Sequence, residues 1–171
     1  MDAIEVLKTG MSTELWGMRF YEQAVARTAD DTGKAVFRAL VKEEQGHLDI
    51  LRGQYAALTS GQGTVSLERA KELAASVDPL SIFPEAQAAD ELIPAGFTDE
   101  QALQMAMDFE QRGFDTYTRA AADAQGEAKA MWDYLAKVED KHYAFLAETL
   151  EYLTTNGVWY FDEQELPFFE G

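Results

Sequence analysis

The chain contains two histidines, and each follows a glutamate by three residues: Glu44-x-x-His47 in KEEQGHLDIL and Glu139-x-x-His142 in KVEDKHYAFL. Residues three apart on a helix share a face, so each pair aims a carboxylate and an imidazole in one direction. A single pair of this kind is usually a surface ion pair. Here the pattern is duplicated. Residues 35–51, AVFRALVKEEQGHLDIL, align on 130–146, AMWDYLAKVEDKHYAFL, at an offset of 95, matching Glu44 and His47 with Glu139 and His142. At an offset of 96, ELWGMRFY (14–21) aligns on EQRGFDTY (110–117), both reading Glu-x-x-Gly-x-x-x-Tyr. Two copies of one helical hairpin, packed about a pseudo-twofold axis, would bring Glu14 and Glu110 to the same place as the two Glu-x-x-His pairs.

Four carboxylates and two imidazoles converging inside a bundle carry too much buried charge to stand alone, and two divalent cations would neutralise it. Glu14, Glu44, His47, Glu110, Glu139 and His142 are therefore the expected ligands of a dinuclear site. Oxygen-rich ligation with some imidazole suits iron or manganese, with zinc as an adventitious occupant. Glu43 and Asp140 adjoin ligands in sequence but point about 100° away around a helix, which places them outside the ligand set.

The elements that must position these residues are helices. Apolar residues recur at helical spacing over about 3–29, 33–58, 99–124 and 127–155. Asp2 with Glu5, and Thr98 with Gln101, have capping-box spacing, and Gly157 is placed to end the last helix. No run of alternating strands appears, so the expected class is all-α. ADDTGK and AQGEAK are short enough to make two antiparallel hairpins, whereas 59–98, which holds three of the four prolines, can cross the length of a bundle. A short helix is expected near SLERAKELAA. Residues 1–171 are read as a single domain, with an aromatic tail over 157–171 that covers the bundle end or docks on a partner subunit.

Composition narrows the function classes. The net charge of −17, from 31 acidic and 14 basic residues, repels nucleic acid and anionic membranes. The absence of cysteine excludes disulfides, thiol catalysis and a four-cysteine iron site. No run approaches the roughly 18 apolar residues of a membrane helix, and the first residues do not read as a signal peptide. A soluble, cytoplasmic protein is expected.

With Glu14, Glu44-x-x-His47, Glu110 and Glu139-x-x-His142 in place, the four helical segments resemble the ferritin-like superfamily. The nearest resemblance is to rubrerythrin-type domains, with the di-iron ligand pattern of bacterioferritins. The resemblance implies a ferritin-like four-helix bundle in which Glu44 and Glu139 bridge two iron ions. Glu14 and His47 would complete one ion, Glu110 and His142 the other. There are departures. Rubrerythrins carry a glutamate one turn after the third-helix ligand that takes part in a redox-linked ligand change, and position 113 here is glycine. They use Glu-x-x-Glu on the fourth helix, where this chain has Glu139-x-x-His142, and the cysteine-rich rubredoxin module has no counterpart.

The expected function is a non-haem di-iron (or dimanganese) oxidoreductase that reduces hydrogen peroxide or dioxygen, with electrons from ferrous iron or an external donor. Its rivals are a ferroxidase feeding iron storage and a metal-stabilised module whose ions never turn over. A homodimer is expected. Gly17 and Gly113, three residues after Glu14 and Glu110, either leave room over the metals for a small ligand or serve close helix packing. Tyr21 and Tyr117, two turns beyond the same glutamates, either hydrogen-bond ligand carboxylates or are core aromatics. Phe37, Leu40, Trp132 and Leu135 read as core.

Overall fold

The computed structural model describes residues 2–87, 91–162 and 164. Phe168 and Phe169, part of the aromatic tail, lie outside the described residues. Four long helices dominate: α1 (Ala3–Arg27), α2 (Asp31–Thr59), α5 (Asp99–Ala122) and α6 (Gly126–Asn156), with short helices α3 (Leu67–Leu73) and α4 (Pro79–Ile82) between the pairs. Among the described residues there is no strand. None of these helices is long and apolar enough to cross a membrane.

Local chemistry sets the helix ends. Asp30 accepts hydrogen bonds from the backbone N–H groups of Thr32 (2.8 Å) and Gly33 (3.1 Å), so α2 starts at Asp31 rather than at the expected 33. Thr98 and Gln101 make both arms of a capping box, at 2.8 and 3.1 Å. Asp2 caps α1 through Ile4, but Glu5 pairs with Lys8 instead of reaching back to complete a box. Gly157, at φ 71°, adopts the left-handed turn that ends α6.

Cross-helix contacts give the topology. Tyr21 meets Glu110 while Tyr117 meets Glu14, so α1 and α5 run antiparallel. His47 meets Glu139 while His142 meets Glu43, so α2 and α6 run antiparallel as well. The turns between α1 and α2, and between α5 and α6, reverse the chain, which leaves α2 parallel to α5. The segment joining them must span the bundle.

That crossover is tied down through side chains of the first hairpin. Gln54 exchanges two hydrogen bonds with the backbone of Val65 (2.6 and 3.0 Å), and Arg52 donates to Val77 O at 2.8 Å. Arg19 donates to Ala86 O at 2.9 Å, and Gln23 accepts from Leu92 N at 2.6 Å. Gly53 permits the closest approach, since a Cβ there would fall 1.7 Å from the Ala70 carbonyl oxygen.

The core forms two apolar layers. Phe20, Phe37, Leu40, Leu103 and Leu146 make one, and Leu15, Leu51, Trp132 and Leu135 the other. The Glu and His side chains lie between them.

Candidate metal centre

All six expected ligands are buried at the same level of the bundle. Glu14, Glu44, His47, Glu110, Glu139 and His142 are each at most 3% exposed. One group of potential ligand atoms comes from Glu14, Glu44, His47 and Glu139, a second from Glu44, Glu110, Glu139 and His142. Within each group the atoms lie within 4.8 Å of one another. Glu44 and Glu139 belong to both.

The imidazoles point the same nitrogen inward. His47 Nδ1 lies 3.1 Å from Glu139 Oε1 and 3.5 Å from carboxylate oxygens of Glu14 and Glu44. His142 Nδ1 lies 3.3 Å from Glu110 Oε2 and 3.7 Å from Glu44 Oε1. The rings are nearly parallel, with centroids 5.6 Å apart.

The two tyrosines brace the site crosswise. Tyr21 on α1 donates to Glu110 Oε1 on α5 at 2.5 Å, and Tyr117 on α5 donates to Glu14 Oε1 on α1. Each therefore supports the glutamate of the opposite helix. A residue seven positions along its own helix is displaced by about 10 Å, too far for a direct hydrogen bond. Burial, reinforced by the charge on the glutamate each one touches, pushes both phenols well above their ordinary range, so they remain donors.

Without a metal the cluster divides its protons unevenly. Burial, then the neighbouring carboxylates, pushes Glu44 and Glu139 well above the usual carboxylate range. Burial also acts to raise Glu14 and Glu110, but there the histidines and hydrogen bonds prevail. Glu14 is lowered by the charge of His47 with bonds from Glu44, His47 and Tyr117. Glu110 is drawn down to about 2 by His142, Glu139 and Tyr21. His142 is raised to about 9: burial opposes its charge, and Glu110 and Glu43 outweigh the burial. The two acids shared by both groups are thus the ones pushed toward the neutral form, because each is buried among other carboxylates. Four glutamates and two inward-facing imidazoles match the donor preference of iron or manganese.

Glu43 lies outside both groups of potential ligand atoms, as expected, but it has a contact that the sequence reading missed. It is 6% exposed, and its Oε1 accepts a hydrogen bond from His142 Nε2 at 3.0 Å. Its rotation of about 100° from Glu44 turns it away from the bundle axis but toward α6, where the outer nitrogen of His142 emerges. Asp140 is exposed, as its wheel position suggests. The repeat hid Glu43, because its counterpart in the second copy is Val138. By holding the proton on Nε2, Glu43 turns Nδ1 toward the carboxylates as the nitrogen that could bind a metal and fixes the ring orientation. Glu43→Ala is expected to weaken metal binding by about 10- to 100-fold, while Glu43→Gln, which still accepts from Nε2–H, should lose much less. Competition against a chromophoric chelator measures both, and equal losses would remove the positioning role.

The two glycines differ. At Gly113 a Cβ would sit 3.2 Å from the Glu139 carboxyl, so glycine there clears that side chain. At Gly17 the nearest atoms are the Glu44 carboxyl and methylene carbons at 3.9 Å, an ordinary contact distance.

A protein-family model described as Rubrerythrin matches residues 5–150, a span that includes all six clustered residues. Neither the curated proteins nor the solved structures yield a match.

Proposed function

The chain belongs to the rubrerythrin family, within the ferritin-like superfamily, and from that premise we propose that it is a di-iron oxidoreductase acting on hydrogen peroxide or dioxygen. The observation that carries this reading is the pair of four-residue groups sharing Glu44 and Glu139, which is the donor arrangement for two adjacent ions bridged by two carboxylates. Glu14 and His47 would complete one ion, Glu110 and His142 the other.

Bound there, the iron pair would supply two electrons, which with two protons from solvent take hydrogen peroxide to two water molecules or dioxygen to hydrogen peroxide, and an external donor would re-reduce the iron. The chain's own residues prepare that chemistry. Tyr21 and Tyr117 hold Glu110 and Glu14 in place, and Glu43 orients His142. The apolar layers above and below exclude water, which strengthens every charge interaction inside the site. Position 113 is glycine, so no carboxylate there can exchange onto a metal, and the reaction runs on a fixed ligand set.

The test is iron content after purification without added metal, followed by stopped-flow mixing of the ferrous protein with peroxide and with air. About two ions per chain and a rapid rise of ferric absorption with either oxidant are expected, and the faster oxidant identifies the substrate. A ferrous protein inert to both would overturn the reading in favour of a structural metal module. A hollow many-subunit assembly in solution would favour iron storage instead.

A further inference from the structure

The repeat that brings the six ligands together also relates the two ends of the bundle, and the two ends are not filled alike. At the end where α2 and α5 begin, Trp159 closes the core and is 9% exposed. Its ring meets Phe37 edge-on with centroids 5.8 Å apart, and its Nε1–H donates to Asp99 Oδ2 at 3.1 Å. A Cβ at Gly33 would fall 2.7 Å from the same ring. At the opposite end lies a cavity of about 370 Å³, walled by Ala3, Leu58, Thr64, Asp123, Ala128 and Trp132 among others.

The sequence offsets pair these two places residue by residue. At an offset of 95, Gly33 pairs with Ala128 and Phe37 with Trp132, and at 96 Asp99 pairs with Ala3. Each of these three neighbours of Trp159 thus has its counterpart in the cavity wall. At an offset of 95 the counterpart of Trp159 itself is Thr64, and it too lines the cavity. The second copy of the hairpin fills its end with an indole from its own chain. The first copy has a threonine there, and a space.

The volume lies in the range of small-molecule sites. Leu7, Met131 and Trp132 give the cavity a buried apolar wall. The acceptor has moved between the two ends: Ala3 stands where Asp99 would be, and among the described residues of the wall Asp123 alone is charged. Asp123 is exposed at the rim and has no side-chain hydrogen bond or ion pair among the described residues. We propose that this cavity binds a small bicyclic aromatic amine, in the place that Trp159 occupies at the opposite end. The ring packs against Trp132, and the ammonium group stays at the rim beside Asp123.

Calorimetric titration of the full chain with tryptamine, indole and indole-3-acetate, which share a ring and differ in charge, tests the site. Tryptamine should bind one per chain with a dissociation constant below about 1 mM. Indole should bind about fivefold more weakly and the anion more weakly still. Asp123→Asn should bring tryptamine to the affinity of indole. Thr64→Trp, which restores the missing indole, should weaken tryptamine at least tenfold and melt no lower than the parent. Absence of tryptamine binding, or binding unchanged in Thr64→Trp, would overturn the site. Lost binding in a Thr64→Trp variant that melts lower would overturn it too, because the indole would then not fit. Equal affinity for amine and anion, or no effect of Asp123→Asn, would remove the role of Asp123. Affinity that falls as the protein concentration rises would show that a second copy covers the cavity, and tighter binding in Phe168→Ser/Phe169→Ser that the chain's own tail does. Either result would overturn the proposal.

Discussion

The double replacement Glu44→Gln/Glu139→Gln is expected to strip the protein of its metals and yet leave it more stable than the metal-free parent at pH 8. The two effects share one cause. Both glutamates contribute to both groups of ligand atoms, so losing them removes an anionic donor pair from each ion. Metal retained through gel filtration should fall from full loading to a small fraction of an ion per chain. In the metal-free parent the same two carboxyls are pushed toward the neutral form by burial and by the carboxylates around them. Raising the pH favours charge on buried groups that already face other carboxylates, at a cost of several kcal/mol for each buried ion left without a partner.

Glutamine keeps the shape and polarity of the neutral acid and cannot ionise. Thermal denaturation of metal-free parent and variant at pH 6 and pH 8 measures the difference, and the variant should gain on the parent as the pH rises. Full metal loading in the double variant would show that other residues hold the ions. A variant less stable than the metal-free parent at pH 8 would show that the ionised acids stabilise the fold, and the account of the cluster would fail.

Loading the metal-free protein near pH 7 should release protons, because ligands must shed protons to bind metal. His142, held protonated up to about 9, contributes one, and Glu44 and Glu139, both pushed upward, add to it. Glu14 and Glu110 are pulled downward and are already ionised. Apparent affinity should therefore rise with pH, and the slope should fall by one once the pH passes about 9 and His142 has lost its proton.

The stability signs follow the same shifts. A group raised by folding stabilises fully below its unfolded value, and that contribution disappears as the pH climbs through the folded value. For His142 the interval is from 6.5 to about 9, worth about 3 kcal/mol, or a fall in melting temperature on the order of 10 °C for a chain of this size. Glu44 and Glu139 act in the same direction. Glu110 acts in the opposite direction, and its contribution is lost only as the pH falls from 4.5 through about 2. Metal-free protein should therefore lose stability from pH 6 to pH 9, and the gap to the loaded protein should widen. Calorimetric titration in two buffers of different ionisation enthalpy counts the protons. A count of zero would mean that the acids are already ionised without metal.

The sequence by itself determined the helices, their pairing into two hairpins and the set of six residues that meet between them. Helical periodicity is a local property, and the duplication relating Glu44 and His47 to Glu139 and His142 makes each half predict the other. Family resemblance extended that reading to two ions with shared carboxylates. Position on a helical wheel could not say which neighbouring helix a side chain meets. Glu43, set aside because it leaves the ligand-bearing face, reaches His142 across the α2–α6 contact. Tyr21 and Tyr117 exchange partners across the antiparallel α1 and α5, rather than serving the glutamates on their own helices. Gly17 and Gly113 are equivalent in the repeat, yet one borders an open space and the other clears a carboxylate. These differences arise where the two copies of the hairpin cease to be identical. At such places the distance between side chains from different helices decides their role, and that distance is fixed only when the helices pack.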